Sequence, residues 1–132
     1  MIIQNDYNEK ELKRIARLSG SKQAEKDAHI VGYLGYKEPQ KMYCEYIGGV
    51  AFIDGMIGKS LLRIYGIAVA ESYKRRGIAT YLLQRALLFA KAQGLKKVTT
   101  ITIAGKSFYL KNNFRVVGMN CKNEFLMEIN IV

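Results

Sequence analysis

The spacing of apolar residues predicts a helix near the start of the chain. In residues 8–18, apolar side chains recur at helical spacing and charged side chains fill the positions between them. Asn8 is a suitable N-cap for this helix, and Gly20 is a suitable stop. The apolar positions are Leu12, Ile15, Ala16 and Leu18.

The following part of the chain is typical of β-strands. Segments 29–36, 42–54 and 61–70 are rich in Ile, Val, Tyr and Phe, and turn-like segments at 37–40 and 55–59 separate them. We therefore expect three strands that form an antiparallel meander.

The second half of the chain returns to a helical period. Residues 78–93 carry apolar side chains on one face, with Gly77 before them and Gly94 after them, which predicts a long helix. Four shorter elements follow: strand 98–103, helix 105–112, and strands 114–118 and 124–132. A strand, a helix and a second strand of these lengths form a right-handed crossover, so strands 61–70 and 98–103 should be parallel. The fold class is α/β (α+β).

Composition favours one globular domain over residues 1–132. Apolar types make up 49% of the chain and charged types 24%, which is enough for a core and too balanced for disorder. The longest apolar run, 46–57, is interrupted by glycines and falls short of the ~20 residues of a membrane span. The first residues do not resemble a secretion signal, so we expect a cytoplasmic protein that does not bind a membrane. Two cysteines and one histidine, His29, predict no metal site.

A strong positive charge narrows the class of partners. The chain has 21 Lys and Arg against 11 Asp and Glu, a formal charge of +10. Such a surface attracts phosphate-bearing molecules such as RNA, DNA, an anionic membrane or a nucleotide cofactor. The longest contiguous basic run is Lys74-Arg75-Arg76.

That basic run lies in a segment that predicts an anion site. A predicted strand leads into a basic turn that contains Gly77 and continues directly into a helix. Backbone N–H groups at a helix start bind anions, Gly77 lets the backbone approach a phosphate, and Thr80 adds a hydroxyl. A helix start that binds no ligand is the alternative. The Gly-x-x-x-x-Gly-Lys-Ser/Thr and Gly-x-Gly-x-x-Gly patterns are missing, which argues against nucleotide hydrolysis and dinucleotide redox chemistry.

Two motifs in this region resemble a known family. Residues 67–69 and 73–80 resemble the acetyl-CoA signature of the GNAT acetyltransferase superfamily, Gln/Arg-x-x-Gly-x-Gly/Ala, with Lys74 at the Gln/Arg position and Ala79 as the allowed alternative to glycine. Residues 107–114 are similar to its second motif, Phe-Tyr-x-x-x-Gly-Phe, with Asn113 replacing glycine. The resemblance covers 61–114. It implies a mixed, mostly antiparallel central sheet with a parallel splayed strand pair and flanking helices.

The resemblance also implies acetyl-CoA as the cofactor. Ile67 and Val69, with Ala68 between them, would bind the pantetheine amides as an added strand does. Many members of the family have an asparagine that contacts the cofactor from the loop between Ile103 and the second-motif helix. This sequence has no asparagine there, and Thr102 or Lys106 would take its place. Direct attack by an amine needs no covalent intermediate, so Cys44 is not a nucleophile. The pyrophosphate would be held by Lys74, Arg75, Arg76, Gly77, Ile78, Ala79 and Thr80.

Catalytic roles follow from the same resemblance. The position of Tyr109 in the second motif implies a general acid that protonates the departing thiolate, and a packed aromatic residue is its alternative role. The general base is less defined. Glu45 is the better candidate and Asp54 the second, and a plain surface position is the alternative for Glu45. Glu71 is expected to cap or orient the loop.

The leading hypothesis is an acetyl-CoA-dependent N-acetyltransferase that acts on a primary amine, either a small molecule or a peptide. A tRNA-directed acetyltransferase of the toxin type is one alternative, because the first helix is basic. A non-catalytic module that binds acyl-CoA or nucleic acid is the other. An edge strand at 124–132 could pair across a homodimer.

Overall fold

The chain folds into a mixed sheet with helices on both faces. The structure, a computed structural model, describes residues 3–4 and 8–132, and the side chains of residues 8–31, 37–38 and 40–132. The elements in these residues are β1 (Ile3–Gln4), α1 (Glu9–Leu18), α2 (Lys22–Lys37), β2 (Met42–Ile47), β3 (Ala51–Ile57), β4 (Leu61–Val69), α3 (Ile78–Ala92), β5 (Lys97–Thr102), α4 (Lys106–Lys111), β6 (Arg115–Met119) and β7 (Phe125–Asn130).

The seven strands lie in the order β1-β2-β3-β4-β5-β7-β6. All neighbouring pairs are antiparallel except β4 and β5, which are parallel and joined by α3. The predicted fold class and the predicted parallel pair are therefore confirmed.

Alternation along the strands divides the core into two clusters. On β2, Tyr43 and Ile47 belong to the cluster that packs against α3, whereas Cys44 and Tyr46 belong to the cluster beneath α1 and α2. Successive side chains of a strand point to opposite faces, so a sheet covered on both sides buries nearly every residue of its central strands. Five of the six residues of β2 are accordingly buried.

The first predicted helix is confirmed, including its cap. The N–H group of Glu11 donates to Asn8 Oδ1 over 3.1 Å, which satisfies one of the free donors at the helix start. Leu12, Ile15 and Ala16 are buried as their spacing predicts, while Leu18 is 47% exposed at the helix end.

The strand predicted at 29–36 is wrong, because these residues belong to α2. Ala24, Ala28 and Val31 of this helix are buried against the sheet, and the Ser21 hydroxyl accepts from the Ala24 N–H over 3.2 Å at the helix start. Ile, Val and Tyr favour strands only weakly, and packing of one helical face outweighs that preference.

Two strand boundaries also differ from the prediction. Segment 42–54 is divided into β2 and β3 by a turn in which Gly48 and Gly49 adopt positive φ angles. Segment 124–132 forms β7, which lies between β5 and β6 and is not an edge strand. The hairpin folds so that β6 takes the outer position, and the predicted pairing of 124–132 across a homodimer is not available.

Both cysteines are free; Cys44 is buried and Cys121 is exposed. Among the residues described, none of the helices combines the length and the apolar character that crossing a membrane requires.

A bulge in β4 depends on close packing at Gly55. Asp54 pairs with Gly66 and Gly55 pairs with Ile64, so Tyr65 is an extra residue in β4. A Cβ atom on Gly55 would lie 2.4 Å from the carbonyl oxygen of Arg63, a backbone atom that cannot move independently. The bulge therefore requires glycine at position 55.

We predict that Gly55→Ala lowers the free energy of unfolding by about 3 kcal/mol, because the added methyl group would have to displace the neighbouring strand. Gly58→Ala is the matched control, since a Cβ atom there would lie 3.4 Å from the Leu61 side chain. Urea denaturation of both variants measures the difference. An equal loss in the two variants would contradict the proposed constraint.

Candidate functional site

The site is built around a gap between β4 and β5. The two strands pair from Leu61 and Lys97 as far as Ile64 and Thr100, where the Thr100 hydroxyl donates to the Ile64 carbonyl over 3.1 Å. Beyond that point β4 continues to Val69 still paired with β3 on its other side. The edge of β4 that faces the gap therefore offers backbone donors and acceptors to an extended ligand.

A first cavity, the cradle cavity, lies where the chain enters α3. It has a volume of about 430 Å³ and is lined by Ile67, Val69, Tyr73, Lys74, Arg75, Gly77, Ile78, Ala79, Thr80 and Phe108. The Tyr81 N–H donates to the Gly77 carbonyl over 3.0 Å, so the helix does not use the N–H groups that precede Tyr81. Gly77 has a φ angle of +77°, and the space beside its Cα is open. This arrangement fits an anion.

The three basic residues of the turn have different environments. Lys74 Nζ donates to the Ser19 carbonyl over 2.7 Å and forms an ion pair with Glu71 at 2.9 Å, which ties the turn to the end of α1. Arg75 lines the cradle cavity. Arg76 lies over the Tyr73 ring, 5.2 Å from its centroid, and does not line that cavity. The hydrogen bond and charge of Lys74 lower the pKa of Glu71, in keeping with the expected orienting role.

A second cavity, the gap cavity, opens between α2, β4, β5 and α4. Its volume is about 260 Å³, and it shares Ile67, Ala79 and Phe108 with the cradle cavity. The two cavities are therefore adjacent, with these three residues lining both. The other lining residues are Ser21, Gln23, Ala24, Asp27, Tyr65, Gly66, Thr100, Ile101, Thr102, Ile103, Ala104, Gly105, Tyr109 and Glu124.

The structure places Tyr109 at the gap cavity and also in the core. Its ring packs against Phe108 and Phe114, with centroid distances of 5.2 and 5.1 Å. Burial raises the pKa of Tyr109 to about 12, although the nearby Thr100 hydroxyl opposes the rise. The phenol therefore keeps its proton at neutral pH.

Glu45 lies away from the gap cavity. Its carboxylate accepts hydrogen bonds from Arg85 of α3 and from the Tyr43 hydroxyl, the latter over 2.7 Å, and the residue is 4% exposed. Side chains alternate between the two faces of β2, and Glu45 lies on the face that packs against α3. The gap cavity is lined by residues of α2, on the other face. The expectation that Glu45 is either the general base or a surface residue is thus corrected: it is a buried partner of Arg85.

Two aspartates lie on the α2 side of the sheet. Asp27 of α2 lines the gap cavity, and Gln23 Nε2 donates to its Oδ1 over 2.9 Å. The pKa of Asp27 is raised to about 6. Burial is the main cause and the charge of Glu124 adds to it, while the Gln23 hydrogen bond opposes the rise. Asp54 of β3 is 1% exposed, and burial raises its pKa well above the usual range, with the charge of Asp27 adding to the effect.

The loop after β5 is held by Thr102. Its hydroxyl accepts from the Gly105 N–H over 2.8 Å, and the residue lines the gap cavity. Lys106, the alternative candidate, lies over the Phe125 ring at 4.5 Å. Thr102 therefore lies at the gap cavity, while Lys106 lies against β7.

His29 belongs to a third, basic cavity on the outer side of α2. This basic cleft has a volume of about 480 Å³ and is lined by Lys13, Arg17, Lys22, Glu25, Lys26 and His29. Lys13 forms an ion pair with Glu9 at 2.7 Å. His29 lies apart from both the cradle and the gap cavity.

Sequence reasoning missed Asp27 and Glu124. The signal for Asp27 is present, because it occupies the i+3 position of the stripe formed by Ala24, Ala28 and Val31, where an acid interrupts a buried helical face. That signal becomes visible only once the segment is recognised as a helix. Glu124 lies in the turn before β7, where nothing local indicates that it faces a cavity.

A family model described as Acetyltransferase (GNAT) family matches residues 3–114. A comparison with curated protein sequences gives no significant match.

Solved structures share the fold over their whole length. A PaiA N-acetyltransferase from Thermoplasma acidophilum in complex with coenzyme A is 17% identical, with a TM-score of 0.74 over 98% of this chain and 99% of that chain. An aminoglycoside 6'-N-acetyltransferase complexed with coenzyme A is 13% identical, with a TM-score of 0.75 over 100% and 98%. Ard1 from Thermoplasma volcanium is 19% identical, with a TM-score of 0.76 over 99% and 97%. The family model matches most of the chain, and the structure shows a divergent strand pair and a cradle cavity at the start of α3. The chain therefore belongs to the acetyltransferase (GNAT) family.

Proposed function

We propose that this protein is an acetyl-CoA-dependent N-acetyltransferase that works as a single domain and transfers the acetyl group directly to a primary amine. The observation that carries the proposal is that the cradle cavity and the gap cavity are adjacent and share Ile67, Ala79 and Phe108. A cofactor with its diphosphate in the cradle cavity would direct its thioester toward the gap cavity. Acetyl-CoA supplies the activated acetyl group.

The residues of the cradle cavity fit the pyrophosphate. Backbone N–H groups from Arg75 to Thr80 are positioned at the positive end of the α3 dipole, and Gly77 leaves open space for phosphate oxygens. Arg75 lines the cavity and Lys74 fixes the turn, so both add positive charge. Arg76, over the Tyr73 ring, contributes charge from a greater distance.

The open edge of β4 fits the pantetheine arm. Ile67 to Val69, with Ala68 between them, pair with β3 on one side and face the gap on the other. An extended chain of amides can therefore add to this edge as a strand does. Thr102 lies on the opposite wall of the gap.

Tyr109 stabilises the leaving thiolate. The pKa of Tyr109 is about 12, whereas an ordinary thiol has a pKa of ~8.5, so complete transfer of the phenolic proton is uphill. We therefore expect Tyr109 to act chiefly by donating a hydrogen bond to the sulfur as negative charge develops there. The overall reaction converts an ammonium and a thioester into an acetamide, a thiol and one released proton.

We predict that Gly77→Asp weakens coenzyme A binding at least about 100-fold, because a carboxylate would occupy the pyrophosphate position; that factor corresponds to about 2.7 kcal/mol. Gly94→Asp is the matched control, since Gly94 has a similar φ angle of +74° and open space around it at the other end of α3. Calorimetry with coenzyme A measures both affinities. Tight binding by Gly77→Asp would contradict the cradle assignment.

We predict that Tyr109→Phe lowers the rate of acetyl transfer by about 10²-fold while coenzyme A affinity stays unchanged, because the variant loses only the hydroxyl group. Tyr81→Phe, on the exposed side of α3, is the control and should keep wild-type activity. Unchanged transfer by Tyr109→Phe would remove its proposed role. If the wild-type protein binds coenzyme A but acetylates no amine of a broad panel, a non-catalytic binding module is favoured.

The basic cleft favours a second candidate function, an N-acetyltransferase whose acceptor is carried by RNA. Arg17, Lys22 and Lys26 line this cleft without an ion-pair partner among the described residues. Phosphate contacts would make RNA binding fall steeply with salt. A tRNA electrophoretic shift that weakens across a salt series, and is lost in a variant with Arg17, Lys22 and Lys26 changed to Ala, would support this candidate. If that variant still binds tRNA, the basic cleft is excluded as the RNA-binding site.

A further inference from the structure

The gap cavity has an acidic character that contrasts with the rest of the protein. Asp27 of α2 and Glu124 of the turn before β7 contribute carboxylates from different walls. Among its lining residues in the described part of the chain, there is no Lys, Arg or His. The protein as a whole carries a formal charge of +10. A cavity of opposite sign within such a protein indicates a ligand that differs in charge from the cofactor.

The two carboxylates are held in the same manner. Gln23 Nε2 donates to Asp27 Oδ1 over 2.9 Å, and Asn120 Nδ2 donates to Glu124 Oε1 over 2.8 Å. In each case a side-chain amide fixes one oxygen and leaves the second oxygen without a hydrogen bond to the described residues. Oriented carboxylates with a free oxygen are suited to accept hydrogen bonds from an ammonium group.

A third carboxyl group lies beside the floor of the cavity. Asp54 is 1% exposed, and neither of its oxygens makes a hydrogen bond of good geometry with the described residues, although the nearby Gly66 backbone opposes the rise in its pKa. Its Oδ1 lies 3.5 Å from the point where a Gly66 side chain would begin, and the Asp27 Cβ lies 3.7 Å from the same point. Because Gly66 has no side chain, the space between the two aspartates stays open. A buried carboxyl without partners is costly, which indicates a polar ligand at this position.

From these observations we infer that the acceptor carries two positive charges, that Asp27 is the general base for the reacting ammonium, and that Glu124 binds the second cationic group. The inference rests on the proposed function and specifies its substrate class. The Asp27 carboxylate takes one proton from the ammonium, which leaves a neutral amine able to react, and later releases that proton to solvent. Because burial raises the pKa of Asp54 well above the usual range, its carboxyl keeps its proton and adds a neutral polar group at the same end of the cavity.

The charge state of Asp27 depends on the groups that face it. The charge of Glu124, from the turn before β7, raises the pKa of Asp27, and the charge of Asp27 in turn raises the pKa of Asp54 of β3. Tyr65 and Tyr109 line the same cavity from β4 and α4. With a pKa of about 6, the carboxyl loses its proton as pH rises through that value. Transfer should therefore increase with pH up to about 7, and this acidic limb should disappear in Asp27→Asn.

The test compares two probes of equal length, 1,4-diaminobutane and butylamine, which differ in the second ammonium group. We expect the wild-type protein to show kcat/KM at least about tenfold higher for the diamine, and Glu124→Gln to lose this preference without a change for butylamine. Asp27→Asn should lower kcat about 100-fold for both amines. Glu38→Gln, in the connection between α2 and β2 and outside the lining of all three cavities, is the control and should behave as wild type.

Equilibrium measurements separate this inference from the proposed function. Calorimetry should show tighter binding of 1,4-diaminobutane than of butylamine, a difference that Glu124→Gln removes, and unchanged coenzyme A affinity in all variants. If coenzyme A binds and amines are acetylated but the diamine has no advantage, or if Glu124→Gln keeps it, the inference is overturned and the proposed function stands. If coenzyme A does not bind at all, the proposed function fails, and the inference fails with it.

Discussion

The divergence of β4 from β5 after Ile64 and Thr100 is the constraint on which the site depends. Backbone donors and acceptors must find partners, so a strand edge that leaves its neighbour in the middle of a sheet either faces water or takes a ligand. The bulge at Tyr65 bends β4 at this point. The cradle cavity, the gap cavity and Tyr109 all lie around the resulting opening, and the gap cavity could not form if the parallel pair continued.

Both layers of the protein hold this opening in place. The cluster against α3 fixes the start of that helix, where the cradle cavity lies, while the cluster beneath α1 and α2 fixes the wall that carries Asp27. The bond from Lys74 to the Ser19 carbonyl joins the cradle turn to the end of α1. The geometry between the anion site and the acidic wall is therefore set by packing on both faces of the sheet and not by one loop.

Charge is distributed so that two ligands of opposite sign can meet. The exterior and the cradle turn are basic and attract a phosphate-bearing cofactor, whereas the gap cavity presents Asp27 and Glu124. Exposed charges are screened beyond about 8 Å at physiological salt, so the carboxylates that line the cavity outweigh the distant positive surface there. The same distribution accounts for the basic cleft, which lies on the outer side of α2 and is separated from the gap cavity by that helix.

Local patterns in the sequence were sufficient for α1, for α3, for the parallel crossover and for the turn at Gly77, because capping, helical period and chain length act over a few residues. They also identified Tyr109 through its motif. They were insufficient for α2, where burial of one face overrides the strand preference of the residues at 29–36, and for the side of the sheet to which Glu45 belongs. Only the tertiary structure brought Asp27 and Glu124 to one cavity, because their proximity depends on contacts between segments nearly 100 residues apart along the chain.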